Sequence, residues 1–217
     1  MSSSLIQLLV LAGIAVFLII KLKNVLGTRE GFEKPALPAD DSRPKREFAV
    51  IEGGPDRDIT DHVPDGSPSY KALAAMKQAE PSFAVNEFLQ GARGAYEMIL
   101  MAFEKGEIDK ILPFLSKDVY QTFADAVEAR ESEGLTVEAN FVGLRELSLH
   151  EASFDPATRE AEIAVRFTGE LTSVVRNKAG EIIEGSATAA KRQRDLWSFR
   201  RCMGVDDPNW QLVATGE

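Results

Sequence analysis

Apolar side chains run almost unbroken through the first twenty residues, lose any pattern between residues 27 and 69, and then return at helical and finally at strand spacing. The opening run holds Leu5, Ile6, Leu8, Leu9, Val10, Leu11, Ile14, Val16, Phe17, Leu18, Ile19 and Ile20, with no charge from Met1 to Ile20. As a helix it would be roughly 30 Å long, the thickness of a bilayer's hydrocarbon core. Residues 1–26 are therefore expected to be a transmembrane anchor. Basic residues do not precede the run, and no small-x-small cleavage site follows it, which argues against a cleaved signal peptide. Lys21 and Lys23 follow it instead, with Arg29 beyond. Positive flanks are retained on the cytoplasmic side, so the expected topology is a single pass with the C-terminal domain in the cytoplasm.

Residues 27–69 contain six prolines and five glycines among 43 residues, with many acidic side chains and no sustained period. They read as an acidic tether. Its flexible reach is about 36 Å, short enough to hold a folded domain near the membrane surface. Within it Glu47-Phe48-Ala49-Val50-Ile51 is an apolar patch, read either as a docking strand or partner motif or as a contact with the protein's own domain.

Residues 70–217 are long enough to fold alone, and helical periods precede strand periods, the signature of an α+β domain. Pro68-Ser69 opens a short helix over Tyr70, Leu73 and Met76 that Pro81 ends. Ser82 is the expected cap of a long helix whose stripe is Phe83, Leu89, Ala92, Tyr96, Ile99, Leu100 and Phe103. Gly91 and Gly94 inside it suggest close approach by a neighbouring backbone. A short helix over Ile108, Ile111 and Leu112 follows, then a helix capped by Ser116 and stopped by Gly134. The period becomes two from Thr136. Strands are expected over Phe141–Phe154, Glu160–Val175, a run ending at Asp195–Arg201, and Trp210–Ala214, joined by turns at Asp155-Pro156, Asn177–Gly180 and Asp206–Asn209. The expected fold has helices packed on a curved antiparallel four-stranded sheet, with a hydrophobic pocket lined by Tyr96, Leu100, Phe103, Phe123, Phe141, Phe167, Trp197 and Phe199. No internal repeat interrupts it, and no pattern fixes an oligomeric state.

Charge changes the picture in two ways. The chain carries 25 basic and 34 acidic side chains, net −9, which speaks against a sequence-independent grip on nucleic acid. The one cysteine, Cys202, and two distant histidines, His62 and His150, leave no metal cage or disulfide to build, so no cofactor is expected. Cys202 reads as a reduced, partly buried thiol, and His62 as a solvated tether residue. Against the acidic background, Lys191, Arg192, Arg194, Arg200 and Arg201 form a dense basic cluster suited to anionic lipid. Its competing reading is cross-strand pairing with Glu160, Glu162 and Glu170. Arg93 and Glu97, four apart, suit a surface pair or the lining of an opening at the domain's mouth, and Glu128, Arg130, Glu131 and Glu133 a solvated helix end. A pocket isomerase or dehydratase, the enzyme reading that such a cone allows, would need an acid or base in the pocket. Asp195 is the best candidate, with Tyr96, Tyr120 and His150 behind it, and no phosphate loop or nucleophile elbow accompanies them.

The segments Phe88–Phe123, FLQGARGAYEMILMAFEKGEIDKILPFLSKDVYQTF, and Asp195–Thr215, DLWSFRRCMGVDDPNWQLVAT, resemble the Tim-forty-four-like domain family. The similarity covers roughly Phe83 to Glu217, and the closing tryptophan strands make it specific. It implies a fold similar to nuclear transport factor two, and a non-catalytic adaptor that binds phospholipid and protein partners in protein translocation or membrane-protein assembly. A lipid- or acyl-binding sensor is the alternative. The chain departs from the mitochondrial adaptors, which carry a basic coiled-coil region that recruits a heat-shock chaperone. A transmembrane segment and acidic tether stand here instead, the plan of bacterial inner-membrane members.

Overall fold

Alternation at period two from Thr136 onward gives four strands, β1 (Thr136–Asp155), β2 (Glu160–Arg176), β3 (Ile182–Cys202) and β4 (Gln211–Gly216). They lie in sequence order in one antiparallel sheet. The computed structural model describes residues 54–216, within one compact unit bounded at Ile51 and Glu217. The expected transmembrane run, Lys21 and Lys23, and the Glu47–Ile51 patch lie outside the described residues. Among the described residues no helix is long and apolar enough to cross a membrane.

Parity decides what the sheet buries. In β2, Ala161, Ile163, Val165 and Phe167 are fully buried, and in β3 Trp197 and Phe199 face the same way. Extra residues in β1 at Val142, Arg145 and His150 break the ladder three times, and such bulges bend a strand and increase its twist. Among the described residues four helices accompany the sheet: α1 (Arg57–Thr60), α2 (Pro68–Ala79), α3 (Val85–Glu104) and α4 (Lys117–Glu133), with a 3-10 segment over Ile108–Phe114. The expected stripe of α3 is buried at Leu89, Ala92, Tyr96, Ile99 and Leu100. Ser67 and Ser116 cap α2 and α4 through their hydroxyls, and Gly134 closes α4 in the left-handed conformation.

Three local expectations are corrected. Ser82 does not cap the long helix: its N-cap is Ala84, which has no side chain able to cap. The cap comes from 27 residues earlier, where the Asp58 carboxylate accepts the Val85 N–H (2.7 Å), the Asn86 N–H (3.0 Å) and the Asn86 side-chain amide (2.8 Å). Residues 57–63, expected in the tether, therefore belong to the fold. Ile59 and Val63 are buried in the core, and half-buried His62 lies 2.9 Å from the Asn86 side-chain oxygen. Finally, Gly91 and Gly94 are exposed, and a Cβ built at either meets nothing within 4 Å. The close approach occurs instead at Gly169 on β2, where a Cβ would sit 2.8 Å from the Tyr96 hydroxyl oxygen.

Candidate functional site

Aromatic side chains, the largest apolar groups available, fill the space between α3 and the sheet. Tyr96 stacks on Phe167 at 4.5 Å between centroids and tilts against Trp197 at 4.8 Å, with Phe141 edge-on at 6.1 Å. Offset and tilted contacts of this kind are the favoured geometries of aromatic pairs. The middle of the expected pocket is thus packed core at Tyr96 and Phe167, and open space remains on either side of it.

On one side is a groove of about 400 Å³ along the N-terminal half of α3. Phe88, Gly91, Ala92 and Ala95 form one side, Phe199 and Arg201 of β3 another, and Phe83, Phe114 and Trp210 complete the walls. Phe88 lies 4.7 Å from Trp210 and 6.1 Å from Phe199, and Phe83 lies 6.0 Å from Trp210. One end is polar. Arg201, with only 10% of its side chain exposed, pairs with Glu80 and sits 5.8 Å from the Trp210 ring centre. Among the described residues its Nε has no hydrogen-bond partner. Burial pushes the Glu80 carboxyl upward, but the Gly204 N–H and Arg201 outweigh it and hold that carboxyl below the ordinary range. The pair is an ionised anchor joining the end of β3 to the loop that feeds α3.

A smaller cleft of about 150 Å³ lies toward the other end of α3. Leu100, Phe103, Phe123 and Trp197 line it, together with Glu104, Gln193 and Asp195. The Tyr96 hydroxyl donates to Asp195 Oδ2 at 2.6 Å, and Gln193 Nε2 donates to Oδ1 at 3.0 Å. Burial and the Asp195 carboxylate both raise the Tyr96 phenol, keeping it protonated. Arg130, expected on a solvated helix end, instead donates to the Phe103 carbonyl at 2.6 Å and lies 4.8 Å from that ring's centre.

The eight expected pocket residues therefore separate. Leu100, Phe103, Phe123 and Trp197 line the cleft, Phe199 lines the groove, and Tyr96, Phe167 and Phe141 pack between. Of the enzyme candidates, the structure joins Tyr96 to Asp195. Tyr120 instead donates to Asp109 at 2.7 Å, and His150 sits 3.2 Å from Arg166.

The basic cluster also divides, because alternate residues of a strand face opposite sides. Lys191 and Arg201 face inward, and Arg192, Arg194 and Arg200 face outward. Outward, the competing reading holds: Arg192 pairs with Glu170 at 3.4 Å, and Arg200 with Glu160 at 3.3 Å and Glu162 at 3.1 Å. Arg194 has no ion pair among the described residues. Arg93 and Glu97 also form none, and Cys202 is exposed rather than partly buried. The groove's polar end went unread in the sequence, although one signal was available. Arg201 shares strand parity with Trp197 and Phe199, and an arginine on a core face requires an acid.

The family model described as "Tim44-like domain" matches residues 69–217. The mitochondrial import inner membrane translocase subunit TIM44 of Homo sapiens is 23% identical over 148 residues, which is 66% of this chain and 32% of the human protein. The chain thus spans about a third of that relative's length. Among solved structures, the intermembrane space region of the chloroplast protein ARC6 superposes with a TM-score of 0.38 at 11% identity, covering 57% of this chain and 94% of that one. A superposition that loose carries no inference.

Proposed function

The chain belongs to the Tim44-like domain family, and on that footing we propose that it is a non-catalytic adaptor, held at a membrane, whose aromatic groove binds protein partners of translocation or membrane-protein assembly. The carrying observation is the groove itself. It is open, walled by Phe83, Phe88, Phe114, Phe199 and Trp210, and lies beside a centre that is already packed. Phe114 and Trp210 are half-buried there, over the buried Phe83, Phe88 and Phe199, and aromatic side chains in a concavity are what protein interfaces use as anchors. Residues 1–26 supply the anchor in this reading, with the domain on the cytoplasmic face of a bacterial inner membrane and no cofactor or metal required.

Contact with anionic lipid is part of the proposal, and strand parity narrows it to the outer face of β3. There Arg194 is unpaired among the described residues, while Arg192 shares Glu170 with Arg145, which lies 2.7 Å from that carboxylate. On that outer face Arg194 is the cluster's one charge without an ion pair among the described residues, and Lys191, also without one, lies on the inner face.

The test is in-cell photocrosslinking of the full chain, with the photoreactive residue at Glu87 or Gly91 on the groove and at Arg166 on the outer sheet face as control. Groove positions are expected to trap translocation or membrane-assembly proteins that the control does not. Identical captures from both faces, or a small metabolite turned over by the purified protein, would overturn the reading.

A further inference from the structure

Among the described residues most half-buried carboxylates are matched to cations, and the two that are not, Asp195 and Glu104, line the same cleft. Asp58, with 20% of its side chain exposed, pairs with Lys77. Glu80, at 16%, pairs with Arg201, and Glu170, at 13%, with Arg145 and Arg192. Asp195, half-buried on the inner face of β3, has no cation within 4 Å among the described residues. Its two hydrogen bonds come from neutral donors, Tyr96 and Gln193. Neutral donors stabilise a carboxylate but do not cancel its charge, and a negative charge facing an apolar cavity attracts a positive guest.

The cavity it faces suits such a guest. Phe103 and Phe123 stand 4.6 Å apart between centroids, tilted by 44°, and Trp197 closes the wall. Aromatic faces attract cations through their quadrupole, tryptophan most strongly. Glu104 adds a second carboxyl to the rim, facing Arg130 and Lys191, neither within 4 Å of it. The volume, about 150 Å³, equals about five waters. That is room for a small polar head.

We propose that this cleft binds an alkylammonium group, with Asp195 as its counter-charge and Phe103, Phe123 and Trp197 as its walls. The inference stands apart from the adaptor reading, since it uses a different cavity. A primary ammonium of the lysine type and a quaternary ammonium share the chemistry, and the two differ in which probe binds more tightly.

The test is calorimetric titration of the full chain in uncharged detergent with choline against its neutral isostere 3,3-dimethyl-1-butanol, and with n-butylammonium against 1-pentanol. At least one cation is expected to bind saturably, and at least tenfold more tightly than its neutral partner. Asp195→Asn should remove that preference. Phe123→Ala, on the half-exposed side of the wall, should weaken binding in a protein that still unfolds cooperatively. Stronger binding of choline identifies a quaternary source, and stronger binding of n-butylammonium a primary one. Equal binding of charged and neutral probes, or no saturable binding by either cation, would overturn the proposal, and both results come from the unsubstituted chain.

Discussion

Tyr96 is the side chain on which the two open spaces turn, and Gly169 is the reason it fits. The phenol crosses from α3 to β3, stacks on Phe167, and reaches Asp195, and its hydroxyl passes where any Cβ at position 169 would stand. Gly169→Ala should therefore overpack the centre at a cost of about 1–3 kcal/mol. The same change in a Tyr96→Phe background should cost less, because the atom in closest conflict is gone. Equilibrium unfolding of the four corners of that cycle checks it, and equal costs in both backgrounds would show that the sheet yields rather than the ring. Gly91 and Gly94 make the opposite case. They spend helix propensity with no neighbour to accommodate, so Gly94→Ala should stabilise the protein by about 0.5–1 kcal/mol, read as a shift of the denaturation midpoint at unchanged slope. The sequence shows glycine in both settings alike. Only the partner across the fold separates a required glycine from a dispensable one.

At the scale of elements, α1 is the part that sequence periodicity could not show. It is four residues long, set in Pro-, Gly- and Asp-rich chain, and its apolar content is Ile59 with Val63 one helical turn on. Segments so short have no period to detect, whereas the long strands announced both their existence and their order through alternation. The same gap hid the cap of α3. A local serine was the expected cap because capping is read from adjacent residues, while the actual acceptor, Asp58, arrives through tertiary contact. Burial would raise the Asp58 carboxyl, but Lys77 and the Asn86 and Val85 N–H groups outweigh that and lower it to about 2. A carboxyl lowered on folding contributes stability above its unfolded value, near about 3.9, and loses it as pH falls toward the folded value. Asp58→Ala should thus cost about 1–2 kcal/mol near neutrality, and the difference from wild type should shrink as pH drops from about 4 to 2. Denaturation at several pH values measures it, and a pH-independent difference would assign the loss to packing instead.

For the whole molecule, the legible part was the scaffold and the illegible part was the distribution of empty space. Apolar periodicity identified which faces meet, so the helices-on-sheet arrangement and the buried Tyr96, Phe167, Trp197 and Phe199 followed from it. It could not tell which aromatic rings would touch and which would stand apart, since that depends on distances of one or two ångströms set by bulges in β1 and the route of the Arg201–Glu80 link. The groove that results has one wall position with nothing opposite it, Gly91, where a new side chain enters open space. Gly91 therefore separates folding from binding. Gly91→Ala should leave the groove usable and the helix firmer. Gly91→Trp should occupy the groove while leaving the core untouched, with cooperative unfolding retained. If the groove is the partner site, the tryptophan variant should lose most photocrosslinks formed from Glu87, and the alanine variant should keep them. Retention of those crosslinks by a well-folded Gly91→Trp protein would move the partner site elsewhere on the domain.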